Sequence, residues 1–566
     1  MHGGKVAYLV DGGEGAGEGV VVEPAFVSSA SDDSGAAADA PGGAPAPPSY
    51  KFGRLFQKPE WWNKLETAER MKIAESLIEL GKCLDNPKEC HQAAAVRQAE
   101  SSIPAGYTYL GQFISHEISF DKSDLLLVAP DPFSERSPSL DLDSIYGAGP
   151  VGSRELYEEG PHPARLRVRK TQAPNDEPDM TFDCDLHRDE DSRALLGDER
   201  NDENLPVAQT HVAFVRFHNR VVDDLEKGLY KGCGPTPREE LFEKARQEVI
   251  KHFQWIILRD YLPQIVDGEV LASVIRKPEL FTPASEQELF MPLEFAVAAF
   301  RIGHSMVRRR YNWNRKHPNA GLIQLFFQTK LSGDLEGLKA LSSEWVIDWK
   351  RFFDFREFGR QYPYEPLAEP PAEPSVDLNM AGTFDTVFDL HLDMLAGFKH
   401  LKPPEAQPPD NHNFNAHRPL TVRNLLRGLA LGLPWGEEVA VMMGEEPLTA
   451  EEVRRDTHAA PLDALAALGG KTPLWFYILK EARERGENGK LGRVGGRIIA
   501  ETLVGLVRHN SHSILKQSGG EEPHWDYTDW RPKYGRAPET FKMVDLLRAA
   551  DVVDPLGKYL DERFPQ

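Results

Sequence analysis

The spacing of apolar residues constrains this chain more than any other feature. They recur three and four apart over long stretches, while strand-like alternation is scarce and short. The segments from Trp61 to Leu84, Val207 to Leu225, Leu293 to Val307 and Ile498 to Leu515 all carry the helical period. The pattern predicts a mainly α fold, a single large helical domain over residues 49–566 with few short strands. A helical domain of that size has a centre to fill, and a cofactor buried between helices is a common filling. Length alone would divide 566 residues into about four domains. Helical text, however, resumes on both sides of the proline-rich stretches at 363–374 and 403–409, so these read as surface loops within one domain.

Residues 1–48 read differently. Their run SSASDDSGAAADAPGGAPAPP has no aromatic or branched aliphatic side chain and cannot repay the entropy of ordering, which predicts a disordered Gly/Ala/Ser/Pro-rich extension. Acidic residues number 88 against 66 basic, a formal charge of −22 that repels phosphate backbones and anionic lipid heads and argues against a nucleic-acid partner. Four cysteines, Cys83, Cys90, Cys184 and Cys233, are too few for a disulfide scaffold and lack zinc-site spacing. No apolar run approaches the roughly 20 residues of a membrane helix, and the N-terminus lacks a basic flank followed by a hydrophobic stretch. The expectation is a soluble, cytoplasmic protein.

Five segments hold the residue types that carry chemistry. In LGQFISHEISFD, residues 110–121, a helix places Gln112, Ser115 and His116 on one face and turns Glu117 about 100° away. That pairs an amide with an imidazole, although a core histidine bonded to a neighbour has the same spacing. In SPSLDLDSIYG, residues 137–147, Ser137, Ser139, Asp141 and Asp143 recur every second residue and offer hard oxygens, of which calcium takes roughly six to eight. Taken alone the stretch reads rather as a solvated acidic turn, and Glu117 as a further carboxylate adds weight to a metal site. LGDERNDEN, residues 196–204, sets Arg200 and Glu203 three apart where an apolar helix begins; a forked, permanent cation suits a developing negative oxygen, and a surface ion pair suits the same text.

The fourth segment, MPLEFAVAAFRIGHSMVRRRY, puts Val297, Arg301 and His304 on one helical stripe. An Arg and a His on a buried stripe are costly without partners, and a large anionic cofactor with an iron for the imidazole would satisfy both. His211 and His218 also lie on an apolar stripe and read as core histidines. In the fifth, RNLLRGLALGLP, residues 423–434, Asn424 and Arg427 stand one turn apart before a Gly-Leu-Pro stop, and an Asn can accept the second ring proton of a metal-bound histidine.

In this order, GQFISHE, LDLDSIYG, GDERNDEN, FRIGH and NLLRGLALGLP resemble the animal-type haem peroxidase superfamily, with the text closest to its bacterial members. The resemblance covers roughly residues 50–566 and implies haem b and calcium as cofactors. It also implies H2O2 and a small organic or halide donor as substrates. By position, His116 matches the distal histidine, Gln112 the distal glutamine and Arg200 the distal arginine. His304 matches the proximal iron ligand and Asn424 its hydrogen-bond partner, with Arg301 and Arg427 near the haem and Glu203 at a carboxylate that esterifies a haem methyl in some members. Glu117, Ser137, Ser139, Asp141 and Asp143 fall on the calcium ligands, Ser139 through its carbonyl.

Three positions depart from the family. Ser115 replaces the aspartate of a second haem ester, Glu117 replaces an Asp, and Arg301 stands where fatty-acid oxygenases carry a radical-forming tyrosine. The resemblance thus favours a peroxidase over the two alternatives, a haem-dependent oxygenase of fatty acids or other organic substrates and a non-catalytic haem-binding or ligand-sensing protein.

Overall fold

A computed structural model of the chain describes residues 50–85, 100–120, 133–134, 136–160, 163–230, 234–361, 378–384, 420–455, 457, 459–520 and 524–563. The extension at 1–48, both proline-rich stretches, Cys90 and Cys233 lie outside these residues. The fold is mainly α, with short strands. The helices that frame the site are α1 (Thr67–Asp85), α2 (Gly106–Ile118), α3 (Leu205–Glu226), α4 (Arg238–Ile256), α5 (Gly268–Arg276), α6 (Leu420–Ala430), α7 (Leu474–Arg485) and α8 (Arg493–Arg508).

The apolar stripes read from the sequence meet at the centre. Phe113 of α2 stacks on Phe214 of α3 with centroids 4.9 Å apart, and Phe253 of α4 meets both rings edge-on. Three helices are locked at one point by aromatic surface that offers little slack. On the opposite side α6 lies along α1. Thr421 donates to the Gly81 carbonyl, and a Cβ at Gly81 would come within 2.7 Å of the Val422 backbone, so the close approach needs glycine there. The α6 helix stops where the Gly-Leu-Pro text predicts, at Gly432 with φ +64°, and Arg54 covers the released Leu431 carbonyl.

A small sheet ties the site segments together. Strand β1 (Tyr50–Gly53) pairs antiparallel with β2 (Phe133–Ser134) and parallel with β3 (Met291–Pro292). The acidic loop at 137–143 follows β2 and the His304 segment follows β3, so one strand sets the origin of both.

Three expected helix spans are corrected. The stretch from Trp61 is broken after Lys64, and α1 starts only at Thr67. The last one ends at Arg508, and Leu515 already belongs to a two-stranded hairpin. The stretch from Leu293 to Val307 is not a regular α-helix: a π turn at Glu294–Ala298 passes into a 3₁₀ turn at Ala299–Ile302 and then one α turn at Gly303–Met306. Periodicity did not expose this change of winding, because a wide turn followed by a tight one nearly restores the α phase. Glu294 anchors its start by accepting the Leu55 and Phe56 amides.

Candidate active site

A cavity lies between α2 and the irregular segment. Gln112 and Glu203 stand on one wall and His304 with Phe300 and Met306 on the other. The first wall is built by α2 and the turn before α3. Gly111 lets the Tyr261 hydroxyl close against α2, where a Cβ would sit 2.5 Å from it. The turn Glu199–Asp202 is capped by Asp198, which accepts the Arg200 amide, and α3 is capped by Asn204, which accepts the Val207 amide. These two caps fix the polar side chains between them. Asn204 donates to Gln112 Oε1 at 3.1 Å, Gln112 donates to Glu203 Oε2 at 3.5 Å, and Glu203 Oε2 lies 3.9 Å from His116 Nε2.

His116 is fully buried behind this pair, and its Nε2 has no hydrogen-bond partner among the described residues. Burial, reinforced by the nearby Arg200 guanidinium, holds its imidazole neutral, well below the usual histidine range, while burial pushes the Glu203 carboxyl up. Arg200 does not line the cavity. Its guanidinium pairs with Asp198, donates to the carbonyls of His116 and Ser119 at the end of α2, and lies over the Phe120 ring.

On the second wall Asn424 of α6 reaches His304. Arg301 Nη1 donates to Asn424 Oδ1 at 2.9 Å, which turns Asn424 Nδ2 toward His304 Nδ1 at 3.1 Å. The amide therefore donates to the ring in this arrangement, whereas the sequence had it accept; a half-turn of the amide exchanges the two roles. Burial and the Arg301 charge keep His304 neutral. Arg427 is buried one turn along α6.

Arg423 carries a signal that sequence reasoning missed. It makes no hydrogen bond or ion pair among the described residues, burial lowers its proton affinity with Glu203 opposing, and its charge acts on His304 as well. Its place in VRNLLR, next to Asn424, was the only sequence hint. A poorly compensated cation beside a cavity fits an anionic ligand. The residues thus suit a haem: an imidazole on one side, a polar opposite wall and arginines for two carboxylates.

Glu117, on the neighbouring face of α2, meets Asp141 and Asp143, and carboxylate oxygens of all three lie within 4.8 Å of one another. Glu117 Oε1 and Asp141 Oδ1 are buried without hydrogen-bond partners among the described residues. Leu140 and Leu142 adopt φ +53° and +59° with fully buried side chains, a strained backbone that anchors two leucines in the core and leaves Asp141 and Asp143 to Glu117. Burial and the neighbouring Asp141 push Asp143 up to about 7. Such mutual repulsion fits a divalent cation. Ser137 and Ser139 share a 2.6 Å hydroxyl contact beside it, and the Ser139 carbonyl accepts from Asn510.

The described residues form a mainly helical fold around a cavity lined by polar side chains and a histidine. Residues 129–342 match the animal haem peroxidase family model. A peroxidasin homologue of Caenorhabditis briggsae is 30% identical over 177 residues, 30% of this chain and 13% of that protein. Thyroid peroxidase of Canis lupus familiaris is 26% identical over 211 residues, 34% of this chain and 22% of that protein. The chain thus matches under a quarter of either relative's length. Among solved structures, peroxidase A from Dictyostelium discoideum superposes with a TM-score of 0.51 at 15% identity, covering 82% of this chain and 88% of that one. A fatty acid alpha-dioxygenase from Oryza sativa also reaches 0.51, at 12% identity over 92% and 82% of the two chains. At such identities the likeness is one of fold. No helix among the described residues is long and apolar enough to cross a membrane.

Proposed function

We propose that the chain is a haem b-dependent peroxidase that reduces H2O2 and oxidises a small organic or halide donor. The observation that carries this reading is that His304, Gln112 and Glu203 line one cavity together. His304 would hold the haem iron, and Arg301, Arg423 and Arg427 its carboxylates. When bound, the haem supplies the electrons that cleave peroxide and the oxidising power passed to the donor. Gln112, fixed by Asn204, orients the peroxide. His116, neutral and with an unpartnered Nε2, takes the peroxide proton by way of Glu203 and returns it to the departing oxygen, work worth roughly 10²–10⁴ in rate. Arg200 acts as a positioning residue, holding the last carbonyls of α2 and keeping His116 neutral. Calcium held by Glu117, Asp141 and Asp143, with Ser137 and Ser139 alongside, would pin the same helix from its other face.

Absorption spectra of the haem-loaded chain with and without peroxide test the reading. A histidine-ligated haem that shifts on peroxide addition is expected; a spectrum indifferent to peroxide sinks it. His304→Ala should lose stoichiometric haem, whereas His218→Ala, whose ring bonds to the Ala164 carbonyl and Tyr146, should retain it.

A further inference from the structure

The family match and the cavity do not account for the buried polar line running away from His116. His116 Nδ1 lies 3.0 Å from Asn201 Oδ1, and Asn201 Nδ2 lies 3.1 Å from Nδ1 of His211 on α3. All three side chains are buried. An amide joining two imidazoles by one oxygen and one NH2 group imposes opposite roles on them. The ring facing the oxygen must carry its proton on Nδ1, and the ring facing the NH2 must have Nδ1 bare. Burial pushes His211 down to about 4, so it stays neutral near pH 7 and keeps that lone pair available. His211 also lines a second, small cavity, with His187 on its wall.

We infer that Asn201 and His211 are positioning residues for the proton chemistry of this site: they hold His116 as the Nδ1–H tautomer, leaving Nε2 bare and aimed at Glu203. The inference deepens the peroxidase reading and rests on it. His116 alone, with either ring nitrogen protonated, has no means of choosing. The amide makes the choice only while His211 offers an acceptor for its NH2 group. Removing that acceptor frees the amide to turn, and the proton on His116 moves to Nε2, where it cannot accept another.

The test uses the full haem-loaded chain. In the diamagnetic ferrous carbonmonoxy form, ring-nitrogen NMR with labelled histidine, assigned by loss of signals in His116→Ala, should show the His116 proton on Nδ1. In the ferric form, binding of cyanide from HCN, which needs a base to take its proton, is followed by absorbance. Asn201→Val and His211→Leu should slow cyanide association about tenfold or more, the scale at which an orienting partner matters. His211→Gln, which still offers an acceptor, should restore it. A proton on Nε2 of His116 in the unaltered chain overturns the inference, as does an unchanged rate in both Asn201→Val and His211→Leu. If His116→Ala itself binds cyanide at the normal rate, the peroxidase assignment of His116 fails, and the ring spectra still decide the tautomer.

Discussion

Glu203 is the residue on which the cavity turns, since it touches Gln112 and stands between His116 and the open space. Two hydroxyls, Thr329 and Ser332, donate to its carbonyl and fix its backbone. If haem is bound here, at most one ester can form, because Ser115 offers no carboxylate at the other position. Acidic organic extraction should release all haem b from freshly loaded protein, and a fraction should resist after peroxide turnover; Glu203→Gln should release all of it under both conditions. Haem retained in that variant would show that another group attaches it. At this scale the sequence made residue identities legible wherever a fixed spacing on one element carried the signal, as with Gln112, His116 and Glu117 on α2. It did not show where Arg200 spends its donors, nor that Asn201, Asn204 and Arg423 belong to the site. Side chains in short turns point where tertiary partners draw them, and spacing does not record that.

Among the elements, α2 is held from two faces, by the first-wall polar chain and by the acidic cluster. Stripping divalent ions with a chelator, or replacing Asp141 with Ala, should lower the melting temperature and slow the reaction with peroxide; a metal analysis should find about one calcium per chain. Full stability and reactivity after chelation would leave the cluster without a cation role. The α8 helix depends on a different acid. Glu481 of α7 accepts the Val494 and Gly495 amides at its start, yet burial pushes this carboxyl from 4.5 up to about 7. An acid with a raised folded pKa contributes most stability below its unfolded value and loses that contribution as pH rises through 7. Denaturant titrations between pH 4.5 and 8 should therefore show stability falling with pH, with a shallower fall in Glu481→Gln. The helical period located α3 well because that helix is regular. It missed the π and 3₁₀ winding before His304, where backbone hydrogen bonds rather than apolar spacing define the element.

Over the whole molecule, the reading of one helical domain holds against the length prior, since aromatic and aliphatic side chains from α1 to α8 join one continuous core. Long-range pairing was not legible: nothing in the text of residues 50–53 tells that this strand joins the segments leading to the acidic loop and to His304. Another long-range connection runs in charge. Arg136 lies 3.4 Å from Asp143 of the acidic cluster and 3.3 Å from Asp198, which in turn holds Arg200 against the end of α2. An ion that takes over Asp143 leaves Arg136 more fully to Asp198, so an event at the cluster is felt beside the cavity. Such a connection has no preferred direction. Whatever factor calcium adds to the affinity of the chain for haem, haem must add to its affinity for calcium. Titrating each ligand in the presence and absence of the other should return one coupling factor measured twice, and a factor of one for both would show that Arg136 transmits nothing.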